Sequence, residues 1–172
     1  HELTVISTGG DGDGFGIGGN HFLHTMRRNI DITYLTMDNQ IYGLTTGQVS
    51  PTSVKGMKTK TTPHGNVENP INPIPLAMVA GATYVARGYS ANPKHLVEMI
   101  KGAITHKGFS FLDVFSPCVT YNKDNTYQWF RPRVKPLEDE GHDPTDFHKS
   151  MDKASLCLIY TSAAADERSS VD

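Results

Sequence analysis

The chain is poor in cysteine and carries no large excess of charge of either sign. Its 172 residues include only two cysteines, Cys118 and Cys157, which is too few for a disulfide framework. Neither cysteine has a second cysteine or a histidine at metal-binding spacing, so they make no metal site on their own. The 16 basic and 18 acidic residues leave a net charge of -2. No basic field exists to attract nucleic acid or anionic lipid, and we expect neither as a partner.

Long apolar runs are also missing. No stretch approaches the roughly 18 apolar residues of a membrane span, and the first residues lack the charged and apolar regions of a signal peptide. These absences predict a protein without a membrane association and with a cytoplasmic location. The chain begins at His1 and enters an apolar run within two residues, which favours a piece of a longer protein.

What the sequence does contain is an alternation of strand-like and helix-like segments. Strands are predicted over 3–6, 32–37, 83–87, 109–115 and 156–160, and helices near 16–29, over 75–81, over 92–108 and over 146–154. Such alternation predicts an α/β fold with a doubly wound, mainly parallel sheet and helices on both faces. We expect one domain over residues 1–160 and a polar tail over 161–172.

Two segments carry clear local signals. Asn92-Pro93 combines a capping residue with a proline at the first helical position, which predicts a helix start. Residues 44–75 are rich in Thr, Gly, Pro, Ser and Asn without sustained periodicity. Because a loop of this length in a compact domain is usually functional, we interpret it as a loop that covers a site.

The segment Gly9-Gly10-Asp11-Gly12-Asp13-Gly14 follows the first predicted strand. Glycines allow a sharp turn that brings backbone N–H groups close to an anion at a helix N-terminus, which favours a phosphate. A carboxylate beside a phosphate is repulsive unless a divalent cation lies between them. Mg²⁺ accepts carboxylate, amide and carbonyl oxygens and bridges to phosphates, so the aspartates favour a magnesium-bound diphosphate.

A second oxygen ligand is available after the next strand. Asn39 follows Asp11 by 28 residues, which is long enough for one helix and one returning strand. Ligands of parallel sheets bind at the carboxyl ends of the strands, where these two side chains would meet. A dinucleotide site is the weaker alternative, since the G-x-G-x-x-G pattern occurs only within a glycine-dense run and the Walker pattern is absent.

The glycine-aspartate segment and its surroundings resemble a known family. The pair formed by Gly10-Asp11-Gly12 and Asn39 is similar to the thiamine diphosphate motif. Three flanking stretches are similar to the beta subunit of 2-oxoacid:ferredoxin oxidoreductases of the 2-oxoglutarate or 2-oxoacid type: "GDGDGFGIGGNHFLHTMRRNID", "MDNQIYGLTTGQVSPTS" and "FSPCVTYN". The resemblance covers roughly residues 3 to 160.

The resemblance implies roles for particular residues. Asp11 and Asn39 would bind Mg²⁺ through their side chains, and Ile41 would bind it through its backbone carbonyl. Gly10, Gly12 and Asp13 would lie beside the diphosphate. The residues expected near the thiazolium ring and the substrate are Gly43, Leu44, Thr45, Gly47 and Gln48. His21 is a further candidate for cofactor binding, although a packed or capping histidine is the favoured interpretation.

The same resemblance implies an activity, cofactors and partners. The enzyme would oxidatively decarboxylate a 2-oxoacid with coenzyme A and ferredoxin, using thiamine diphosphate, Mg²⁺ and a [4Fe–4S] cluster. Cys118 matches a late cluster ligand, and the other cluster cysteines would have to lie upstream of this chain, because such a cluster takes four thiolates. An alpha subunit would complete the site and supply the activating glutamate.

Several alternatives remain open from the sequence. The chain could belong to a thiamine diphosphate-dependent decarboxylase or synthase without redox chemistry, or it could be a fragment without independent activity. Cys118 could be a small buried apolar residue, and Cys157 in "SLCLIY" is expected in the core. For Arg87, Arg131 and Arg133 an ion-paired or solvated role is favoured over substrate binding.

Overall fold

A computed structural model of the chain describes residues 3–156, 160–161 and 163–165. Within these ranges, the main sheet has five strands, which in their order across the sheet are β1 (Ile6–Gly10), β2 (Thr33–Asp38), β4 (Ser110–Phe115), β3 (Tyr84–Tyr89) and β7 (Ala163–Ala165). The first four of these strands are parallel to one another. A second sheet pairs β5 (Lys135–Pro136) with β6 (Tyr160–Thr161).

The last strand of the main sheet, β7 (Ala163–Ala165), runs antiparallel to β3. It falls within the segment predicted as a polar tail over 161–172, most of which lies outside the described residues. The prediction for Cys157 also lies outside the described residues. The proposed domain limits therefore stay a prediction.

Five α-helices connect or flank the described strands: α1 (Gly19–Arg27), α2 (Pro73–Val79), α3 (Pro93–Thr105), α4 (Tyr127–Phe130) and α5 (Phe147–Ser155). A π-helical turn, Asp13–Ile17, precedes α1, and a 3₁₀ turn, Glu138–Glu140, precedes α5. The predicted helix start at Asn92-Pro93 is confirmed, since the Asn92 side chain accepts a hydrogen bond from the backbone N–H of His95.

Helices pack on both faces of the sheet, as a doubly wound fold requires. Phe22 of α1 and Ala77 of α2 pack on the face that carries Phe111. Met99 of α3 packs on the opposite face, against Leu112. Adjacent residues of a strand point to opposite faces, so the continuous apolar sequence of β4 is buried on both. The fold class predicted from the sequence is confirmed.

The first strand was predicted at the wrong residues. Residues 3–6 were expected to form it, whereas β1 runs over Ile6–Gly10 and includes two glycines. Glycine has a low intrinsic strand propensity, but parallel pairing with β2, from Ile6 opposite Thr33 to Gly10 opposite Met37, overrides it. The correction places Asp11 directly after the last residue of the strand.

Residues 39–72 contain neither a helix nor a strand of the sheets, in agreement with the predicted long loop. Several of its polar side chains are buried, including Ser50, Thr52, Ser53 and Asn66. The loop therefore passes through the interior beside the strand ends and does not only cover them. No helix among the described residues combines the length and apolar character needed to cross a bilayer.

Candidate functional site

Three strands end together at the carboxyl edge of the sheet. Gly10 of β1 lies opposite Met37 of β2, which in turn lies opposite Val114 of β4. The backbone N–H of Ser116, just beyond β4, donates to the carbonyl of Asp38 over 2.8 Å. The segments that follow these strands carry Asp11, Asn39 and Cys118, so parallel pairing brings the three predicted site regions to one edge.

The two predicted magnesium ligands with side-chain roles are neighbours. The backbone N–H of Asn39 donates to Asp11 Oδ1 over 3.4 Å. The Asn39 side chain turns back on its own loop, where its Oδ1 accepts from the backbone N–H of Ile41 at 3.0 Å. Asp11 is 1% exposed and Ile41 3% exposed, whereas Asn39 is half-buried. The structure thus brings Asp11, Asn39 and Ile41 together, as predicted.

The glycine-rich segment turns sharply between β1 and the helical turn at Asp13. The backbone N–H of Gly10 donates to Asp13 Oδ1 at 2.8 Å, and the Tyr42 hydroxyl donates to the carbonyl of Gly12 at 3.0 Å. A Cβ atom on Gly12 would overlap the Tyr42 ring, so this position requires glycine. Tyr42 thereby fixes the backbone beside Asp11 from the loop that follows Asn39.

A threonine from the long loop lies between the strand ends. The Thr52 hydroxyl is 2.7 Å from Asp11 Oδ2 and 2.9 Å from Asp38 Oδ1, and Thr52 is 3% exposed. The backbone N–H of Gln40 also donates to Asp38 Oδ1, at 3.1 Å. Thr52 therefore links the acidic residue that follows β1 to the acidic residue that ends β2.

Two further acids, Asp38 and Asp113, are buried at the same strands, together with Arg87. Asp113 of β4 forms an ion pair with Arg87 of β3, with 2.9 Å between Oδ2 and Nε. The guanidinium of Arg87 also donates to Asn72 Oδ1 at 3.2 Å and lies 4.7 Å above the Phe115 ring. The ion-paired role favoured for Arg87 from the sequence is confirmed.

Burial dominates the electrostatics of these acids. It raises the pKa of Asp11, although hydrogen bonds from Ser50 and Thr52 oppose the shift. Burial also raises the pKa of Asp38 well above its ordinary value, and the negative charges of Asp113 and Asp11 add to this. For Asp113 burial again raises the pKa, against the attraction of Arg87. The carboxyl groups together favour a cation at this edge of the sheet.

The donor set fits magnesium better than a transition metal. Among the described residues no cluster of three His, Cys, Asp or Glu side chains could hold a metal ion. A cation at Asp11 would therefore depend on the Asn39 amide, a backbone carbonyl and oxygens of a bound ligand. Magnesium is commonly held in this way, with one or two carboxylates and phosphate oxygens. Asp11, Asn39 and Ile41 are compatible with the predicted magnesium-bound diphosphate.

Cys118 lies at the same edge, in a turn rich in backbone donors. Partial burial raises the pKa of its thiol, but N–H groups of Tyr121, Thr120 and Asn122 outweigh this and the net pKa is lowered. The backbone N–H of Tyr121 is 3.5 Å from Sγ. A Cβ atom on Gly43 would lie 3.7 Å from Sγ, which places Cys118 beside the loop that follows Asn39.

Three other predicted site residues are exposed, namely His21, Leu44 and Thr45. His21 is exposed on α1 and lines a groove with Asp13 and Tyr34 that does not include Asn39 or Ile41. Leu44 is 99% exposed, and the Thr45 hydroxyl hydrogen-bonds the Gln48 side chain at the tip of the same loop. The roles of His21, Leu44 and Thr45 stay predictions.

Sequence reasoning missed several residues of this site. Tyr42, Asp38 and Asn122 stand within or next to the quoted motifs, and the Asn122 amide donates to the carbonyl of Asn39 at 3.1 Å. Asp113 was visible only as an acid within an apolar strand. Thr52 stands near the end of the quoted stretch "MDNQIYGLTTGQVSPTS", but no role was predicted for it, since its partners are 41 and 14 residues away.

Comparison with known proteins identifies the family to which this chain belongs. Residues 1–114 match the family described as "Thiamine pyrophosphate enzyme, C-terminal TPP binding domain". This chain belongs to that family. Residues 118–157 match a second family, which describes the C-terminal part of the beta subunit of pyruvate ferredoxin oxidoreductase. The predicted thiamine diphosphate-binding fold and the resemblance to beta subunits of ferredoxin oxidoreductases are both confirmed.

Individual relatives agree with this assignment. The chain is 51% identical over 144 residues to the 2-oxoacid:ferredoxin oxidoreductase subunit beta of Saccharolobus solfataricus, covering 83% of this chain and 47% of that protein. It is 43% identical over 155 residues to the 2-oxoglutarate synthase subunit KorB of Archaeoglobus fulgidus, covering 90% of this chain and 54% of that protein. The chain spans about half the length of these relatives.

A solved structure is also similar throughout the fold. A 2-oxoglutarate:ferredoxin oxidoreductase from Magnetococcus marinus, determined with 2-oxoglutarate, coenzyme A and succinyl-CoA bound, matches with a TM-score of 0.91. The two chains are 45% identical, and the match covers 96% of this chain and 57% of the other. The similarity extends over almost all of this chain.

Proposed function

We propose that this chain forms the diphosphate-binding part of the beta subunit of a 2-oxoacid:ferredoxin oxidoreductase. The enzyme would oxidatively decarboxylate a 2-oxoacid, transfer the acyl group to coenzyme A and pass electrons to ferredoxin. We place it in the cytoplasm, and cell fractionation would test that location. The observation that carries the proposal is the convergence of Asp11, Asn39 and Ile41 at the strand ends of a thiamine pyrophosphate-binding domain.

In this proposal the chain holds the diphosphate end of the cofactor. Asp11, Asn39 and the carbonyl of Ile41 would bind Mg²⁺, while Gly10, Gly12 and Asp13 would lie beside the diphosphate. The bound cofactor supplies an electron sink for loss of carbon dioxide. Backbone rigidity supports this role, because Tyr42 and Asp13 each hydrogen-bond the glycine-rich segment.

The reactive end of the cofactor would be completed by another chain. We propose an alpha subunit as that partner and as the source of the glutamate that activates the cofactor. Leu44 at the loop tip is 99% exposed and Val119 is 74% exposed, which supports a contact with another chain near the site. Gly43, Leu44 and Thr45 would then lie between the two chains, close to the thiazolium ring and the substrate.

A [4Fe–4S] cluster is the proposed electron acceptor. The lowered pKa of Cys118 favours a thiolate, which is the form that binds iron. The described residues contain one cysteine, whereas the cluster takes four thiolates. Cys118 would be one ligand, and cysteines outside the described residues would supply the others.

The match of residues 1–114 to a thiamine pyrophosphate-binding domain is also compatible with a second candidate function. A thiamine diphosphate-dependent decarboxylase or synthase without redox chemistry would need no cluster. The iron content and the low-temperature electron paramagnetic resonance spectrum of the dithionite-reduced complete protein separate the two. A reduced-cluster signal that disappears in Cys118→Ser supports the oxidoreductase, and an iron-free, active enzyme supports the alternative.

Cofactor binding itself is tested by titrating the chain with thiamine diphosphate and Mg²⁺. The expected result is heat of binding that requires both, together with a rise in melting temperature. Neither heat nor a thermal shift, in this chain and in the complete protein with its partner, would overturn the cofactor assignment. Binding only in the complete protein would identify this chain as a part without independent activity.

A further inference from the structure

The contact between Thr52 and Asp11 involves a residue to which the sequence resemblance assigned no role. The metal-binding motif consists of the glycine-aspartate segment and Asn39, whereas Thr52 comes from the loop over 39–72. Its hydroxyl donates to Asp11 Oδ2 at 2.7 Å, and both residues are nearly inaccessible to solvent. This oxygen of Asp11 is therefore held by the loop, and the other, Oδ1, faces Asn39.

The loop around Thr52 is itself fixed by a set of hydrogen bonds. The Ser53 hydroxyl donates to the carbonyl of Gln40 at 2.6 Å, and the backbone N–H of Ser50 donates to Ser53 Oγ at 2.8 Å. The Asn66 amide donates to the carbonyl of Ser53 at 3.2 Å. Thr52 has a defined position because its neighbours are bonded both to the segment after β2 and to a later part of the loop.

Thr52 also contacts the end of β2, in addition to Asp11. Its hydroxyl lies 2.9 Å from Asp38 Oδ1, and Asp38 directly precedes Asn39. A hydroxyl group has one hydrogen, so Thr52 can donate to only one of the two carboxyl groups at a time, and Asp11 Oδ2 is the nearer acceptor. The orientation of the Asp11 carboxylate is thus tied to the end of β2, from which the second metal ligand comes.

We propose that Thr52 is a positioning residue for magnesium binding, which acts by holding Asp11 Oδ2 and thereby fixing the orientation of the Asp11 carboxylate. This inference rests on the proposed function, in which Asp11 binds Mg²⁺. Side chains that orient metal ligands typically contribute about 10- to 100-fold to metal affinity, although they never touch the metal. Thr52 would act in this way through a single hydroxyl group.

Two substitutions of Thr52 and one control distinguish this role from simple packing. Thr52→Val keeps the shape and removes the hydroxyl, whereas Thr52→Ser keeps the hydroxyl and removes a methyl group. Thr36→Val is the matched control, because Thr36 on β2 is 0% exposed and its hydroxyl has no hydrogen-bond partner among the described residues. Thr52→Ala, which also removes the hydroxyl, is measured in case Thr52→Val does not fold.

The measurement is a calorimetric titration of Mg²⁺ into the complete, chelator-treated protein in the presence of excess thiamine diphosphate. Thr52→Val or Thr52→Ala should weaken Mg²⁺ binding about 10- to 100-fold. Thr52→Ser should restore most of the affinity, and Thr36→Val should leave it unchanged. Circular dichroism and the free energy of unfolding are recorded for each variant without metal.

The outcomes separate this inference from the proposed function. Unchanged Mg²⁺ affinity in a folded Thr52→Val or Thr52→Ala protein, with or without a loss of stability, overturns the positioning role and leaves the metal site intact. Weakened binding that Thr52→Ser does not restore also overturns it, since the hydroxyl would not be the cause. No Mg²⁺ binding by the unsubstituted protein overturns the metal site and the inference together.

Discussion

Asp11 and Asn39 lie 28 residues apart in the chain, yet the backbone N–H of Asn39 donates to Asp11 Oδ1 over 3.4 Å. Their proximity follows from the parallel pairing of β1 and β2, which ends both strands at the same edge of the sheet. Asp11 is almost completely buried, and Asn39 is half-buried at the start of the long loop.

Substitution of either residue should weaken Mg²⁺-dependent binding of thiamine diphosphate. In Asp11→Asn the negative charge is lost, and in Asn39→Ala the amide oxygen is lost, so we expect Mg²⁺ affinity to fall by at least about tenfold. Isothermal titration calorimetry measures the change, and circular dichroism checks the fold. Asp31→Asn is the control, because Asp31 is exposed just before β2, at the opposite edge. Unchanged affinity in both Asp11→Asn and Asn39→Ala would contradict the ligand assignment.

The buried ion pair between Arg87 and Asp113 should be important for stability. In Arg87→Met, Asp113 would stay in an apolar interior without its cation, and such losses cost about 3–5 kcal/mol in the free energy of unfolding. Urea denaturation monitored by circular dichroism measures this. Lys101→Met, which removes an exposed ion pair with Glu98, should change the free energy by no more than about 1 kcal/mol. If Arg87→Met and Lys101→Met changed the free energy of unfolding by similar amounts, the buried ion pair would be no more important than the exposed one.

The stability of the metal-free protein should fall as the pH rises. Burial raises the pKa of Asp38 well above its ordinary value of 3.8, so the native state binds a proton more tightly than the unfolded state. That stabilisation is complete below the ordinary pKa and disappears as the pH rises through the raised one. In Asp38→Asn this contribution is absent, so the free energy of unfolding should depend less on pH. Denaturation curves from about pH 4 to about pH 8 test this. An equal pH dependence of the free energy of unfolding in the unsubstituted protein and in Asp38→Asn would refute the role of Asp38.

Cys118 should be an unusually reactive thiol in the reduced, iron-free protein. Backbone N–H groups and the charge of Lys123 lower the pKa of its thiol against the effect of burial, so more thiolate is present near neutral pH. In a Cys157→Ser background, the rate of alkylation by iodoacetamide should reach half its maximum at a lower pH than for a cysteine peptide. Lys123→Gln should move that midpoint upwards. If the pH midpoint for alkylation of Cys118 were at or above that of the cysteine peptide, the pKa of the Cys118 thiol would not be lowered.

The parts of the fold that the sequence predicted well are those with local causes. Asn92-Pro93 marks the start of α3 because a capping side chain and a proline act within one turn. The apolar segment 109–115 is a buried strand because its side chains contact helices on both faces. Asp11 and Asn39 could be paired because parallel strands end at a common edge.

The parts that were missed depend on contacts between distant segments. The start of β1 was misplaced because pairing with β2, rather than propensity, decides where that strand lies. Thr52 belongs to a quoted family-like stretch, but its role was missed because a threonine in a loop gives no sign of a partner 41 residues away. Tyr42 was missed for a similar reason, since its hydroxyl bonds a carbonyl 30 residues earlier in the chain.

The contact between Thr52 and Asp11 also has a consequence for the order in which the protein assembles. Strands β1, β2 and β4 pair through their backbones, whereas the acids at their ends are joined only when the long loop closes against its own conformational entropy. The sheet can therefore form before the site does. Cleavage of the exposed part of the loop, near Lys58 and Lys60, would loosen the site while the strands remain paired. We therefore expect the cofactor pocket to become ordered after the sheet has formed.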